Sequence, residues 1–294
     1  MKRLLTLILI TTLLLCGCNS RENPVQIAAT TLPVWEFTSR LCESTPLTVT
    51  RLVTEEVSCL HDYSLNVRQA KAAEAAEVIV ISGAGLEEFM EDLIQDKQTI
   101  DASIGIHLLM PEEHHHEHQE EQSHEDHSHE QDPHIWLSPV NASAMAENIY
   151  RGLVQIYPDY QQVMENNLLD LQQELEAVNT YGQKQLQTLS CRDMITFHDG
   201  FSYLADSFDL HILRAVEEES GSEASAKELI HLIEEVAHHN LPAIFTEKSG
   251  SVSAAGIIAR ETGCGNFSLD MAMAGSSYFE AMYHNIDTIK EALE

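Results

Sequence analysis

The chain has 294 residues, and 44% of them are hydrophobic, which is enough to bury two domains of ordinary size and excludes a disordered protein. Its 47 acidic residues against 16 basic ones give a formal net charge of −31. Such a surface argues against nucleic acid as a partner and makes cations a natural one.

The chain begins with the letters MKR and an apolar run over residues 4–15, shorter than the ~20 residues that span a bilayer. This pattern predicts a secretory signal peptide over residues 1–17. The letters LCGC, which end at Cys18, have the form of a bacterial lipobox, and they predict that Cys18 is lipidated and that residues 18–24 are a tether. The alternative is ordinary cleavage with Cys18 left as a free thiol. We expect an exported protein, held by its acyl chains at the periplasmic or extracellular face of a bacterial membrane.

The next part of the chain alternates short β-prone runs with helical patterns, which predicts a parallel sheet covered by helices. We assign residues 25–139 to this N-terminal α/β lobe. The β-prone runs cover 25–29, 47–53 and 78–81, and the helical patterns cover 32–41, 66–76 and 86–95.

A low-complexity segment over residues 112–131 interrupts this alternation. It has almost no large apolar residue, so it cannot offset its ordering entropy by burial, and we predict a mobile surface loop. Its histidines form several weak, interchangeable sites for a borderline cation: His114, His115, His116, His118, His124, His127 and His129.

Residues 140–189 have almost no strand signal, and we predict a helical region. Apolar residues recur there at spacings of three and four between positions 164 and 178, which is typical of one long helix lying along the body. A helix of about 30 residues would span ~45 Å and act as a stiff connector.

A second alternation of strands and helices predicts a C-terminal α/β lobe over residues 190–294. Strands are predicted at 194–197, 210–216 and 243–246, and helices at 201–207, 227–239, 253–262 and from 278 onwards.

Four cysteines follow Cys18, and an even number in an exported protein favours disulfides, for which three pairings are possible. The pairing that respects two sequential lobes is Cys42 with Cys59 and Cys191 with Cys264. The competing interpretation makes Cys59 a thiolate metal ligand.

Three histidines lie at junctions that precede helices: His61, His134 and His198. Ligands collect beyond the carboxyl ends of parallel strands, where His198 and His61 are predicted to lie. Three neutral imidazoles suit Zn²⁺ and leave one tetrahedral position open. A single histidine near a helix start is more often an ordinary polar residue, so the combination carries the hypothesis.

The stretches around these histidines read LHDYSLNVRQ, DPHIWLSPVNA and TFHDGFSYLADSF. In this order, with a His-rich segment before the second, they resemble the ZnuA-type zinc and manganese lipoproteins of bacterial ABC importers. The resemblance extends over essentially the whole mature chain. The first stretch departs from the family pattern, which has Asp-Pro before the histidine where this chain has Cys-Leu.

The resemblance implies two α/β lobes, each a parallel sheet flanked by helices, joined by a long rigid helix, with the metal in the interlobe cleft. Carried over residue by residue, it makes His61, His134 and His198 ligands. Asp270, after a late strand, is the expected fourth ligand, and Glu247 is the alternative.

The implied function is capture of Zn²⁺ outside the cytoplasm by a monomer, which delivers it to an ABC permease with a separate ATPase subunit. Three imidazoles with one oxygen favour zinc over manganese, which prefers oxygen ligands. The alternatives are a manganese or iron member of the family, and an adhesin or extracellular zinc buffer.

A zinc hydrolase is a further alternative, because three histidines with an open position also activate water. Asp270 would close that position, and the chain has neither H-E-x-x-H nor G-x-S-x-G, so we expect no enzyme.

Overall fold

The N-terminal lobe is built on a four-stranded parallel sheet. A computed structural model describes residues 27–57, 60, 63–109, 131–216, 225–248 and 253–294 of the chain. The strands are β1 (Ile27–Ala29), β2 (Val49–Arg51), β3 (Val78–Ile81) and β4 (Gln98–Asp101), in the order β2-β1-β3-β4. The parallel sheet predicted for this lobe is confirmed.

Three helices accompany this sheet: α1 (Leu32–Leu41), α2 (Val67–Ala75) and α3 (Glu91–Ile94). Helix α2 begins at Asn66, whose side chain accepts hydrogen bonds from the main-chain N–H groups of Arg68 and Gln69 and completes a capping box. Helix α3 is shorter than predicted, because a 3₁₀ turn occupies Glu88–Met90 and Met90 has the non-helical angles φ −131° and ψ 20°.

The C-terminal lobe repeats this arrangement. Its parallel sheet has the order β6-β5-β7-β8 and consists of β5 (Asp193–Thr196), β6 (His211–Ala215), β7 (Ala243–Glu247) and β8 (Gly265–Leu269). Its helices are α6 (Ser202–Ser207), α7 (Ala226–His239), α8 (Ser253–Thr262) and α9 (Tyr278–Leu293).

The predicted long connecting helix is α5 (Gln161–Leu186), of 26 residues, and a short break separates it from the 18-residue helix α4 (Pro139–Ile156). The break falls at Pro158, because proline disfavours helical geometry in the residue before it, and Tyr157 has φ −123° and ψ 61°. The predicted apolar seam is confirmed, since α5 buries Met164, Leu168, Leu171, Leu175 and Val178.

Each sheet packs one face against these central helices and the other against outer helices. Ile27 and Ala29 belong to a core shared by both lobes, whereas Ala28 between them packs in a separate outer cluster. In the second lobe, Phe245 joins the shared core and Ile244 an outer cluster. The alternation follows from the two-residue period of a strand, and the shared core fixes the two lobes on one helical frame.

The predicted Cys191–Cys264 disulfide is absent, and both residues are free thiols. They precede β5 and β8, which are separated by β7, so the strands that carry them lie about 10 Å apart, beyond the ~7 Å Cα limit for a disulfide. Cys42 is also a free thiol, and burial raises its pKa to about 12. Its predicted partner, Cys59, lies outside the described residues.

No helix within the ranges described above is long and apolar enough to cross a membrane. The predicted signal peptide (1–17), the tether (18–24) with Cys18, and the seven histidines between His114 and His129 lie outside those ranges. They stay predictions, as do the boundaries of the lobes.

A buried carboxyl lies where the first sheet ends. Glu87, 4% exposed, accepts hydrogen bonds from the Thr30 hydroxyl (2.7 Å) and from the main-chain N–H groups of Ser82 (2.7 Å) and Gly83 (3.0 Å). Burial outweighs these bonds and raises the pKa of Glu87 to about 7, to which the nearby Asp101 charge contributes. The Glu87 side chain therefore ties the carboxyl ends of β1 and β3 together.

We expect Glu87 to make folding more favourable in acid. Its pKa is higher in the folded chain than its model value of 4.5, so the folded state binds more protons and the free energy of unfolding falls as pH rises from about 4.5 to 7. Urea unfolding of the parent and of Glu87→Gln at pH 5 and pH 7.5 measures this. Glu87→Gln should be less stable than the parent at both pH values, since the Gln amide nitrogen cannot accept the Gly83 N–H. Between pH 5 and pH 7.5, however, the variant should lose less stability than the parent. An equal loss in both proteins would contradict the shift.

Candidate metal site

Three candidate residues lie at one edge of the C-terminal sheet. His198 follows β5 after one residue, Glu247 is the last residue of β7, and Asp270 follows β8 directly. Since β5, β7 and β8 are parallel and adjacent, their carboxyl ends bring these side chains to a common region. This is the edge at which open α/β sheets bind ligands.

His134 reaches the same region from the segment that leads into α4. Its ring is buried, and its Nδ1 lies 2.8 Å from Oδ1 of Asp132, which also accepts the main-chain N–H of His134 (2.9 Å). A carboxylate on Nδ1 fixes the orientation of the imidazole and directs Nε2 away from it, as in histidines that bind metals.

The two histidines are neighbours in space. The ring centroids of His134 and His198 are 5.3 Å apart, with an interplanar angle of 81°. A Cβ at Gly200 would lie 2.8 Å from Nδ1 of His134, so the close packing of position 200 against the His134 ring favours glycine.

Glu247 lies beside the His198 ring. Its Oε2 is 3.9 Å from Nδ1 of His198, and its side chain is 5% exposed. Burial raises the pKa of Glu247 to about 7, and the Asp270 charge adds to this while His134 opposes it. His198 thus has a carboxylate on its Nδ1 side, as His134 does, while its Nε2 lies 3.8 Å from Oδ1 of Asp199.

The Asp270 carboxylate is held at the rim of the group. Its Oδ1 accepts from the Ala272 main-chain N–H (2.8 Å), and Oδ2 lies 3.2 Å from the Lys248 ammonium. The Asn285 side chain bonds both to N and to O of the Asp270 main chain, each at 2.7 Å. A cationic group therefore already faces Oδ2, on a lysine side chain that is 63% exposed and can be displaced.

The C-terminal lobe holds the segment that carries His134. The Trp136 indole donates to the Met271 main-chain O (2.8 Å), and the Tyr278 hydroxyl donates to the Trp136 main-chain O (2.9 Å). These two bonds attach the segment that carries His134 to the lobe that carries His198.

The structure places the rings of His134 and His198 side by side, with Glu247 beside His198, and Asp270 follows the neighbouring strand at the same edge of the sheet. His61 lies outside the described residues, and within them no three His, Cys, Asp or Glu side chains converge tightly enough to enclose a metal ion. The sequence analysis missed Asp132 as the partner of His134. The spacing of Asp132 and His134 is a local signal for this contact, because an Asp side chain often accepts the main-chain N–H two residues later.

The family model for ZnuA, the periplasmic component A of the zinc-uptake complex, matches residues 27–292 of the chain. A Treponema pallidum protein named for metal binding is 28% identical over 240 residues, which cover 79% of this chain and 76% of that protein. The zinc-binding lipoprotein AdcA of Streptococcus pneumoniae (serotype 4) is 27% identical over 301 residues. The match covers 96% of this chain and 59% of the length of AdcA.

Solved structures show the same fold. A crystal structure of ZnuA superposes with a TM-score of 0.76 at 26% identity, covering 92% of this chain and all of that one. A zinc-bound ZnuA with residues 138–173 of its own numbering deleted gives a TM-score of 0.75 at 27% identity, covering 92% of this chain and 98% of that one.

Proposed function

The chain belongs to the ZnuA family of metal-binding solute-binding proteins, and on that premise we propose that it captures Zn²⁺ outside the cytoplasm and delivers it to an ABC permease. The family consists of carriers, so the site needs only to bind and release its cargo. The permease and the ATPase would be separate chains.

The observation that carries this proposal is the pair of neighbouring imidazoles, one with a carboxylate at hydrogen-bond distance from its Nδ1 and the other with a buried carboxyl group near its Nδ1. Asp132 lies 2.8 Å from Nδ1 of His134, and Glu247 lies 3.9 Å from Nδ1 of His198. Carboxylate–histidine–metal arrangements raise ligand basicity and present Nε2 to the ion.

We propose His61, His134, His198 and Asp270 as the four ligands, with Glu247 as the alternative fourth ligand. Three nitrogens and one oxygen match the tetrahedral preference of Zn²⁺, and the relatives named for zinc support this choice over manganese. Loading would displace the Lys248 ammonium from Asp270 Oδ2. The histidines from His114 to His129 would serve as an accessory collector.

We further propose an exported monomer anchored through lipidated Cys18. The AdcA relative is a lipoprotein, which supports an anchor of this kind. A secreted chain tethered in this way would present its cargo close to a membrane permease.

Growth under zinc limitation tests the uptake function. A strain without this gene and without other zinc importers should fail to grow with a zinc chelator present, and the parent gene should restore growth. A gene carrying both His134→Ala and His198→Ala should not restore it, because the metal site would be lost. Normal growth of the deletion strain would contradict uptake and favour an extracellular buffer.

A further inference from the structure

Tyr203 on helix α6 contacts the segment that leads to His134. Its hydroxyl accepts a hydrogen bond from the Leu109 main-chain N–H (2.9 Å) and donates one to the Asp132 main-chain O (3.1 Å). The Asp132 main-chain N–H in turn donates to the Leu109 main-chain O (3.3 Å). The Tyr203 hydroxyl thus bridges Leu109 and Asp132, which lie on either side of residues 110–130.

Asp132 is the connection between this hydroxyl and the metal site. Its main-chain oxygen receives the Tyr203 proton, while its Oδ1 accepts the His134 N–H (2.9 Å) and faces the imidazole Nδ1 (2.8 Å). The Asp132 side chain is 9% exposed, so little water is available to take over these contacts. A shift of the Asp132 main chain would therefore rotate or displace the His134 ring.

Tyr203 also belongs to the same local structure as His198, which lies five residues before it. The phenol is 2% exposed, and its pKa is raised to about 12, chiefly by burial, with the Asp132 charge contributing. The Tyr203 hydroxyl therefore donates its proton to the Asp132 main-chain O at neutral pH.

We propose that Tyr203 is a positioning residue of the metal site, which acts through Asp132 to hold His134 at a fixed distance from His198. This inference rests on the proposed zinc site. Outer partners of metal-binding histidines contribute about 10–100-fold to affinity, and Tyr203 acts one bond further out, so its hydroxyl should contribute about 10-fold.

The test compares zinc affinities by competition with a chromophoric chelator for the parent, Tyr203→Phe, Asp132→Asn and the double variant. Phenylalanine retains the buried ring and removes one oxygen, a change that a folded protein ordinarily tolerates. Tyr157→Phe is the matched control, since that hydroxyl donates to Glu77 (3.2 Å) and burial likewise raises the Tyr157 pKa to about 12.

Tyr203→Phe should weaken zinc binding about 10-fold, at the lower end of the effect of an outer partner, while Tyr157→Phe leaves it unchanged. If the hydroxyl acts through Asp132, the double variant should bind zinc no more weakly than Asp132→Asn alone. The visible spectrum of bound Co²⁺ should also change in Tyr203→Phe, because it reports ligand geometry.

Parent-like zinc affinity and an unchanged Co²⁺ spectrum in Tyr203→Phe would overturn the role of Tyr203. Losses that multiply in the double variant would overturn it as well, since they would indicate general destabilisation. Failure of the parent to bind zinc, or retention of tight binding in His134→Ala, would instead refute the zinc site itself.

Discussion

Replacement of His198 by alanine should lower the affinity for Zn²⁺ by more than about 100-fold, because loss of an orienting partner alone costs about 10–100-fold and this change removes a ligand. His134→Ala should have an effect of the same size. The centroids of the two rings lie 5.3 Å apart, close enough for one ion to bind both. Competitive titration against a chromophoric chelator measures the loss.

His211→Ala is the matched control for these variants. His211 also pairs its Nδ1 with a carboxylate, Asp193 at 3.3 Å, but its side chain is 63% exposed and it begins β6, whereas His198 lies beyond the carboxyl end of β5. The His211→Ala variant should bind zinc as tightly as the parent. A chain without residues 114–129 should also keep the parent's affinity for one tightly bound zinc ion. Tight binding that survives in His198→Ala but disappears with residues 114–129 would place the principal site in the His-rich segment.

Two substitutions decide whether Asp270 or Glu247 is the fourth ligand. We expect Asp270→Asn to lower zinc affinity by more than about 100-fold and Glu247→Gln by about 10–100-fold, since the first removes a ligand and the second an orienting group. Asp270 Oδ2 faces the ammonium of Lys248, a displaceable cation, whereas Glu247 Oε2 faces Nδ1 of His198. Both changes preserve side-chain size, so the titrations report the loss of charge and of one acceptor oxygen.

Asp287→Asn controls for the removal of a carboxylate. Asp287 Oδ1 accepts a hydrogen bond from the Tyr181 hydroxyl (2.6 Å) away from the candidate site, and its loss should leave zinc binding unchanged. A larger loss in Glu247→Gln than in Asp270→Asn would exchange the two roles and make Glu247 the ligand.

Local sequence patterns were sufficient to predict most of the fold. Runs such as residues 78–81 and 243–246 are short, apolar and bounded by helical patterns, so each identified a buried parallel strand. Strand β4 was missed because its letters, QTID, contain one apolar residue, and its pairing with β3 is decided by the tertiary structure. Pro158 is a local signal for the end of α4, and the apolar seam over residues 164–178 lies entirely within α5.

The site was predicted less completely, because its supporting contacts join residues far apart in the chain. The positions of His134 and His198 followed from motifs at element junctions. The Tyr203–Asp132 hydrogen bond spans 71 residues and the Lys248–Asp270 pair 22, and neither has a local pattern that indicates it. The predicted Cys191–Cys264 disulfide failed for the same reason, since strand order decides which of these cysteines can meet.

Anomalous scattering at the zinc absorption edge, from crystals of the mature chain grown with one equivalent of Zn²⁺, tests the central claim most directly. We predict one dominant peak at about 2.0–2.1 Å from the Nε2 atoms of His134 and His198, the usual zinc–imidazole distance. His61 and Asp270 should complete a tetrahedron around it. A dominant peak elsewhere in the chain, with none between His134 and His198, would contradict the assignment.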